Sequence, residues 1–310
     1  MMFGVNRHLQ WAHKVAAKSF RELVKPIEQK LSLLSTDDAI TANGILRKEM
    51  FDRKTFTDQQ LRDAGASDKV INAYKALRER FNDVYTKTNE ARAKLGLEPI
   101  TQQSAYYSSQ WMGNWHMPVH DKSGNLIGYV KTETRAEANK AMAWIKKNMP
   151  EADASALKID YKPENIGKNL PRDVTSTFEA MMKIFEDTPM AQQMKEMMDQ
   201  YRTEQAFNER GFSKHFEEQA NTRFFLGDRP WLTDKENAHA GLKSQMQYLK
   251  DAYRWIPMQE AMANIKEVLS DPDLVKNQPN NMAVTKAYVA NALGVSQSIM
   301  RGLENDVAIS

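Results

Sequence analysis

His116 and His120 stand four residues apart, a spacing that on a helix would let two imidazoles hold one metal ion. Pro118 lies between them and the run reads as a strand, where four residues span ~13 Å along the chain. Asp121 is the only carboxylate nearby, so the ligand set is incomplete and both histidines read as structural or surface groups. His215 and His239 stand alone and read the same way. Glu186-Asp187 and Glu217-Glu218 are adjacent carboxylates, but acid/base work on a glycosidic bond needs a cleft and a fixed separation. Beside basic residues on helical stretches they read as solvated faces. The sequence contains no Gly-x-x-x-x-Gly-Lys phosphate loop, no Gly-x-Ser-x-Gly elbow and no His-Glu-x-x-His pair,. It has no cysteine, which removes thiolate ligands, cysteine nucleophiles and disulfides. No catalytic, metal-ligating or cofactor-binding residue is therefore assigned, and no cofactor is expected.

One group of side chains stands out. Residues 101–118 carry no charge and hold Tyr106, Tyr107, Trp111 and Trp115. They form the candidate interaction surface. The first reading is a cover over a junction between two parts of the chain; the second is a protein- or sugar-binding surface. A base-stacking platform would come with a basic groove, and residues 101–121 contain no Lys or Arg. The 18 methionines concentrate in 181–198 and 246–262, where they serve as core filler or as an adaptable surface.

The totals fit a chain that works through contacts. It has 310 residues, 43 basic against 40 acidic, and a net charge of +3. A dedicated nucleic-acid binder shows a larger basic excess or a clustered patch. Mean hydropathy is −0.65, as expected for long helices with one wet face. No run approaches the ~18 apolar residues of a membrane span. The first twenty residues lack the apolar stretch of a signal peptide.

The elements follow from periodicity. Residues 5–34 read as an amphipathic helix through Leu9, Ala12, Ala16, Phe20 and Leu23, kinked or interrupted at Pro26. Its apolar face is expected in the core; the alternative is a membrane-surface helix, because Arg7, Lys14, Lys18, Arg21 and Lys25 lie among the apolar positions. Short helices are expected over 36–52 and 57–64, after the capping residues Ser35 and Thr57. The clearest helix spans 68–95. Val70, Tyr74, Leu77, Phe81, Val84, Thr88, Ala91 and Leu95 recur every three or four residues, with Ser67 as cap and Gly96 as stop. This face is expected to pack within the chain, as one arm of a helical hairpin.

Beyond Pro99 the pattern changes. Two extended runs flank Asp121-Lys122-Ser123-Gly124-Asn125, which is turn chemistry. A helix follows over 135–149, with Thr134 and Glu137 at capping-box spacing, and Leu157–Tyr161 alternates like a strand. The helical pattern then resumes from Pro171, through Val174, Phe178 and Phe185, then Met190, Met194 and Tyr201. A long helix is expected over 234–269, bent at Pro257, and a short one over 281–293 before Gly294. The fold class is mainly α: helical bundle segments with a small inserted β-β-α-β module at 112–162. The divisions are a helical region at 1–100, the aromatic passage and insert at 101–165, and a second helical region at 166–310.

The order of these parts resembles a known family. Leu46-Arg47-Lys48 lies in the early helical part, and the long helix ends in Lys94-Leu95-Gly96-Leu97-Glu98-Pro99-Ile100. Tyr106-Tyr107 leads into Gly113-Asn114-Trp115-His116-Met117-Pro118-Val119 and the Asp121–Asn125 turn, then the helix from Thr134-Arg135-Ala136-Glu137-Ala138. Phe216, Arg223 and Gly227-Asp228 precede Leu242, Leu249 and Tyr253. Across 40–295 this resembles a region of large phage polyvalent proteins and virion-packaged DNA-ejection proteins, including giant chains that carry a podophage virion RNA polymerase. The family often has Tyr-Phe-Pro where this chain reads Tyr106-Tyr107-Ser108. In that family such regions are non-catalytic connectors, and polymerase motifs are not visible here.

The resemblance implies a non-catalytic structural or ejection segment of a bacteriophage virion protein, located in the virion and then in the host envelope or cytoplasm. Its implied partners are other virion proteins (portal, tail or further ejection proteins), with a second copy of the chain and weak contact with DNA or a membrane surface as further expectations. A nucleic-acid-binding module on the packaged genome and an unrecognised cell-wall hydrolase are the alternatives.

Overall fold

The computed structural model describes residues 2–52, 54–100, 113–161 and 229–269, together with Asp271 and Lys276. The chain is mainly helical with one small antiparallel sheet. The expected elements at 171–201 and 281–293 lie outside the described residues.

The N-terminal segment is one helical rod made of α1 (Met2–Ser19), a π-turn (Phe20–Val24) and α2 (Lys25–Ser32). The expected interruption at Pro26 takes the form of that π-turn. Proline has no N–H to give, and its ring crowds the carbonyl four residues back. The chain widens by one residue per turn instead, and the Lys25 N–H reaches the Phe20 carbonyl five residues back,. Helices α3 (Thr36–Asp52) and α4 (Asp58–Asp63) follow. Ser35 Oγ accepts from the Asp38 N–H at 3.1 Å, and the Asp38 carboxylate reaches back to Ser35. Thr57 and Gln60 cap α4 reciprocally,.

Helix α5 (Asp68–Leu95) starts where Ser67 Oγ accepts from the Val70 N–H and ends at Gly96 in the left-handed region, φ 71°. All eight residues of its three-and-four repeat are buried. Their cover comes from α2, α3 and above all α7 (Asp234–Leu269). Phe81 meets Tyr248, Asp83 meets Tyr253 and Lys94 meets Glu260. Sequence numbers rise together along both helices, so α5 and α7 run parallel. The expected hairpin is replaced by a pairing with a distant helix, because the run after Gly96 leaves to build the sheet before the chain returns.

Helix α7 has 36 residues. Leu242, Met246, Leu249, Tyr253 and Ile256 enter the core with α2, α3 and α5, while α1 lies along it as well. It runs through Pro257, which is itself buried.

Sequence patterning does not announce one buried polar group. Glu49 is fully buried on α3. Its Oε1 accepts from the Phe56 N–H at 2.7 Å and from the Tyr74 hydroxyl, and its Oε2 accepts from Arg78. Burial and the bond to Glu49 push the Tyr74 hydroxyl up to about 12. The Arg78 guanidinium also lies 5.6 Å from the Tyr74 and Phe81 ring centres,. One carboxylate thus ties α3, the 54–57 loop and α5 together. Glu49→Ala leaves buried donors without their acceptor and is expected to cost roughly 3–5 kcal/mol, read as a fall in the urea midpoint. Arg78→Met with Glu49→Leu should recover most of that loss.

Candidate functional site

The sheet carries Trp115, the member of the aromatic set that falls among the described residues. Tyr106, Tyr107 and Trp111 lie outside them. Strands β1 (Trp115–His120), β2 (Leu126–Thr132) and β3 (Asp160–Tyr161) are antiparallel in the order β2-β1-β3. The β1–β2 turn uses the expected residues. Asp121 Oδ1 accepts from the Ser123 and Asn125 N–H groups at 2.9 and 2.8 Å, and Gly124 takes φ 85°. The Asn125 side chain, which donates to Asp121 Oδ2 at 2.9 Å, and then these N–H groups hold the Asp121 carboxyl below its ordinary value. Only Asp160 and Tyr161 of the expected 157–161 strand pair with β1. Leu157 and Ile159 pack instead against the module's core.

That core contains Met117, Val119 and Val130 from the sheet, and Ala141 and Ile145 from α6 (Arg135–Asn148). Trp231 joins it from outside the insert. Thr134 Oγ1 accepts from the Glu137 N–H at 3.1 Å, as the capping pattern requires. The Glu137 carboxylate goes elsewhere, to Arg229 at 2.6 Å.

Trp115 is half-buried. Its ring lies 4.9 Å from the Tyr161 ring across the β1–β3 pair, and Arg135 stands 5.7 Å from the indole centre. Tyr161 is 55% exposed, so the outer edge of this stack is open to solvent. Gly113 delivers the chain to Trp115 with φ 121°, and a Cβ there would sit 1.9 Å from the Thr132 carbonyl oxygen. The glycine is therefore a geometric requirement for placing Trp115 beside Tyr161.

His116 lies on the other face of β1, where its Nδ1 and the Tyr129 hydroxyl share a hydrogen bond. Asp160 is opposite it in register. Burial first, then Asp160, raises the Tyr129 hydroxyl. A bulge between Val119 and His120 separates His120 further from this arrangement. Among the described residues no three His, Asp or Glu side chains come together as a metal site.

The module is fixed to α7 by a joint that composition does not reveal. Lys243 bonds Glu133 at 2.6 Å, Lys140 bonds Glu236 at 2.8 Å, and Arg229 bonds Glu137. The first two are exposed and contribute about 0–1 kcal/mol each, while the Arg229–Glu137 pair is partly buried. The apolar peg is Trp231, 9% exposed. Asn237, in the first turn of α7, accepts from the Arg229 N–H at 2.9 Å and donates to the Arg229 carbonyl at 3.0 Å. The turn carrying Trp231 is thereby held rigidly to α7. One signal was present in the sequence: Pro230-Trp231 directly before a Thr233/Glu236 capping pair is an aromatic placed at a helix entrance.

Three outcomes are expected. Trp231→Ala should remove amide hydrogen-exchange protection across 115–148 while leaving that of α5 near its original value. Gly113→Ala should cost roughly 2–4 kcal/mol through strain and backbone overlap, measured by urea unfolding. The Glu236 carboxyl is held at about 2, against an ordinary 4.5, first by the Lys140 bond and then by Thr233. A depressed carboxyl stabilises the fold above its unfolded value and loses that contribution as pH falls through its folded one. Stability should therefore drop between pH 4.5 and about 2, with a shallower drop in Glu236→Gln. No family model, curated protein or solved structure matches the chain.

Proposed function

We propose that the chain is a non-catalytic structural segment of a bacteriophage virion protein, delivered with the genome or assisting its delivery into the host cell. The observation that carries this reading is the sequence layout: the long helix closing at Gly96-Leu97-Glu98-Pro99, the Trp115–Asn125 hairpin and the Thr134–Ala138 helix start, in the order found in large virion-packaged ejection proteins. The mechanism is mechanical. Passage through a narrow tail requires a chain that unfolds and refolds, and a chain with no cysteine carries no disulfide to oppose it. The way the sheet module is attached supports the same reading. Among the described residues it is held to α7 by Trp231, with Leu232 beside it, and three ion pairs, so the pieces can separate in steps. Its partners on this reading are other virion proteins: portal, tail or further ejection proteins.

Quantitative mass spectrometry of phage particles before and after triggered DNA release tests the proposal. Peptides present in full particles and depleted from emptied ones are expected. Equal amounts in both would make the chain a fixed part of the particle, and absence from both would end the virion reading. Thermal unfolding in the ordinary mesophile range of about 45–65 °C is also expected; a midpoint far above it would contradict a chain built to unfold in transit.

A further inference from the structure

The N-terminal rod of this protein is strongly basic. Residues 2–32 hold six Lys and Arg against two Glu, net +4, while the whole chain nets +3. Everything outside that segment is therefore net negative by one charge. Along α1 and into the π-turn, Arg7, Trp11, Lys14, Lys18 and Arg21 follow one another at steps of four, three, four and three residues, and all five are exposed. At about 100° per residue they form one stripe about 21 Å long. The stripe lies opposite Val5, Leu9 and Ala12, which are buried on a helix that packs along α7. Among the described residues no carboxylate pairs with Arg7, Lys14 or Arg21, and Lys18 has only Glu22 at 4.0 Å.

Apolar side chains gather in the same segment. Of the five large ones exposed among the described residues, Trp11 (40%) and Phe20 belong to it and Leu33 (72%) directly follows it. Trp11 sits inside the stripe itself.

We propose that the outer side of α1 is a docking surface for an anionic lipid bilayer, against which the helix lies flat. Charge complementarity supplies the attraction, because basic side chains near an anionic leaflet bind its headgroups. The indole decides between anionic partners. Duplex phosphates contact Lys and Arg and gain nothing from an exposed tryptophan, and single-stranded nucleic acid stacks its bases in basic grooves, whereas this face is convex. A lipid–water interface favours tryptophan among basic residues, with the ring at headgroup depth. The contact is peripheral: no helix among the described residues is long and apolar enough to cross a membrane. The proposal stands on this surface alone and does not depend on the virion reading.

The test uses the full 310-residue chain in co-sedimentation with vesicles of phosphatidylcholine mixed with phosphatidylglycerol, against phosphatidylcholine alone, and with duplex and single-stranded DNA as separate arms. Binding to the anionic vesicles only is expected, weakening with added salt. The combined variant Lys14→Glu, Lys18→Glu, Arg21→Glu should lose about a hundredfold in affinity, and Trp11→Ala roughly fivefold. All four positions are exposed, so helix content by circular dichroism and the urea midpoint should stay at the parent values. Lys146→Glu with Lys147→Glu, on exposed α6 positions, is the charge control and should retain most of the binding. Binding to DNA without binding to vesicles, no binding to either, or an equal loss per charge in the α6 control would each overturn the proposal.

Discussion

A helix covered on more than one side constrains everything that touches it, and α7 is such a helix here. Its 36 residues run about 54 Å and supply buried side chains toward α1, α3 and α5 at once. Because α5 and α7 are parallel, the chain after Leu95 must travel back the length of α5, about 42 Å, before α7 can begin. The sheet module lies on that return path. Its place at the N-terminal end of α7, tied through Trp231 and Asn237, is where a returning chain has to arrive. Long-range pairing of this sort raises the loop-closure cost of folding, and the α5–α7 interface offsets it with continuous apolar contact and ordered polar pairs.

Those polar pairs follow one rule: charges that enter the interior arrive with partners. Tyr253 donates to Asp83, which also accepts from Lys87 at 2.9 Å. Burial raises Asp83, but these bonds outweigh it and hold the carboxyl below its ordinary value. Burial and the same carboxylate raise the Tyr253 hydroxyl. Glu49 with Tyr74 and Arg78 repeats the arrangement one helix over. Each network fixes which turn of one helix meets which turn of another, a specificity that a purely apolar face would leave looser.

Much of this architecture was legible in the sequence, and the reasons are local. Helix α5 was readable because its repeat, its Ser67 cap and its Gly96 stop agree with one another. Helix α7 was readable from Asp234 to Leu269 because Pro257, although inside, did not end the pattern. The turn at Asp121–Asn125 follows from residue chemistry alone. What escaped depends on contacts between distant segments. Nothing near Glu49 says that Tyr74 and Arg78 will reach it, although a carboxylate continuing the buried Ala42, Ile45, Leu46 row of α3 is itself a sign that a cation must come. Glu137 had the spacing to close a capping box, but Arg229, more than ninety positions away, offered a charged partner and took it. Of the aromatic set, Trp115 meets Tyr161 at a tilt and lies under Arg135, contacts that its charge-free surroundings in sequence did not foretell.

The π-turn at Phe20–Val24 has a consequence of its own. It holds one residue more than an α-turn would, so it takes up that residue while α1 and α2 keep nearly the phase of one continuous helix. Deleting one residue there would let the turn close to regular helix with α1 and α2 in nearly the same phase, whereas deleting a second would rotate all of α1 by about 100°. Val5, Leu9 and Ala12 would swing away from α7, and the lysines of the outer side would swing toward it. This stretch can therefore give up its one extra residue without turning α1 out of its seat, but no further change of length, so the π-turn is the place where the N-terminal rod absorbs a difference of a single residue.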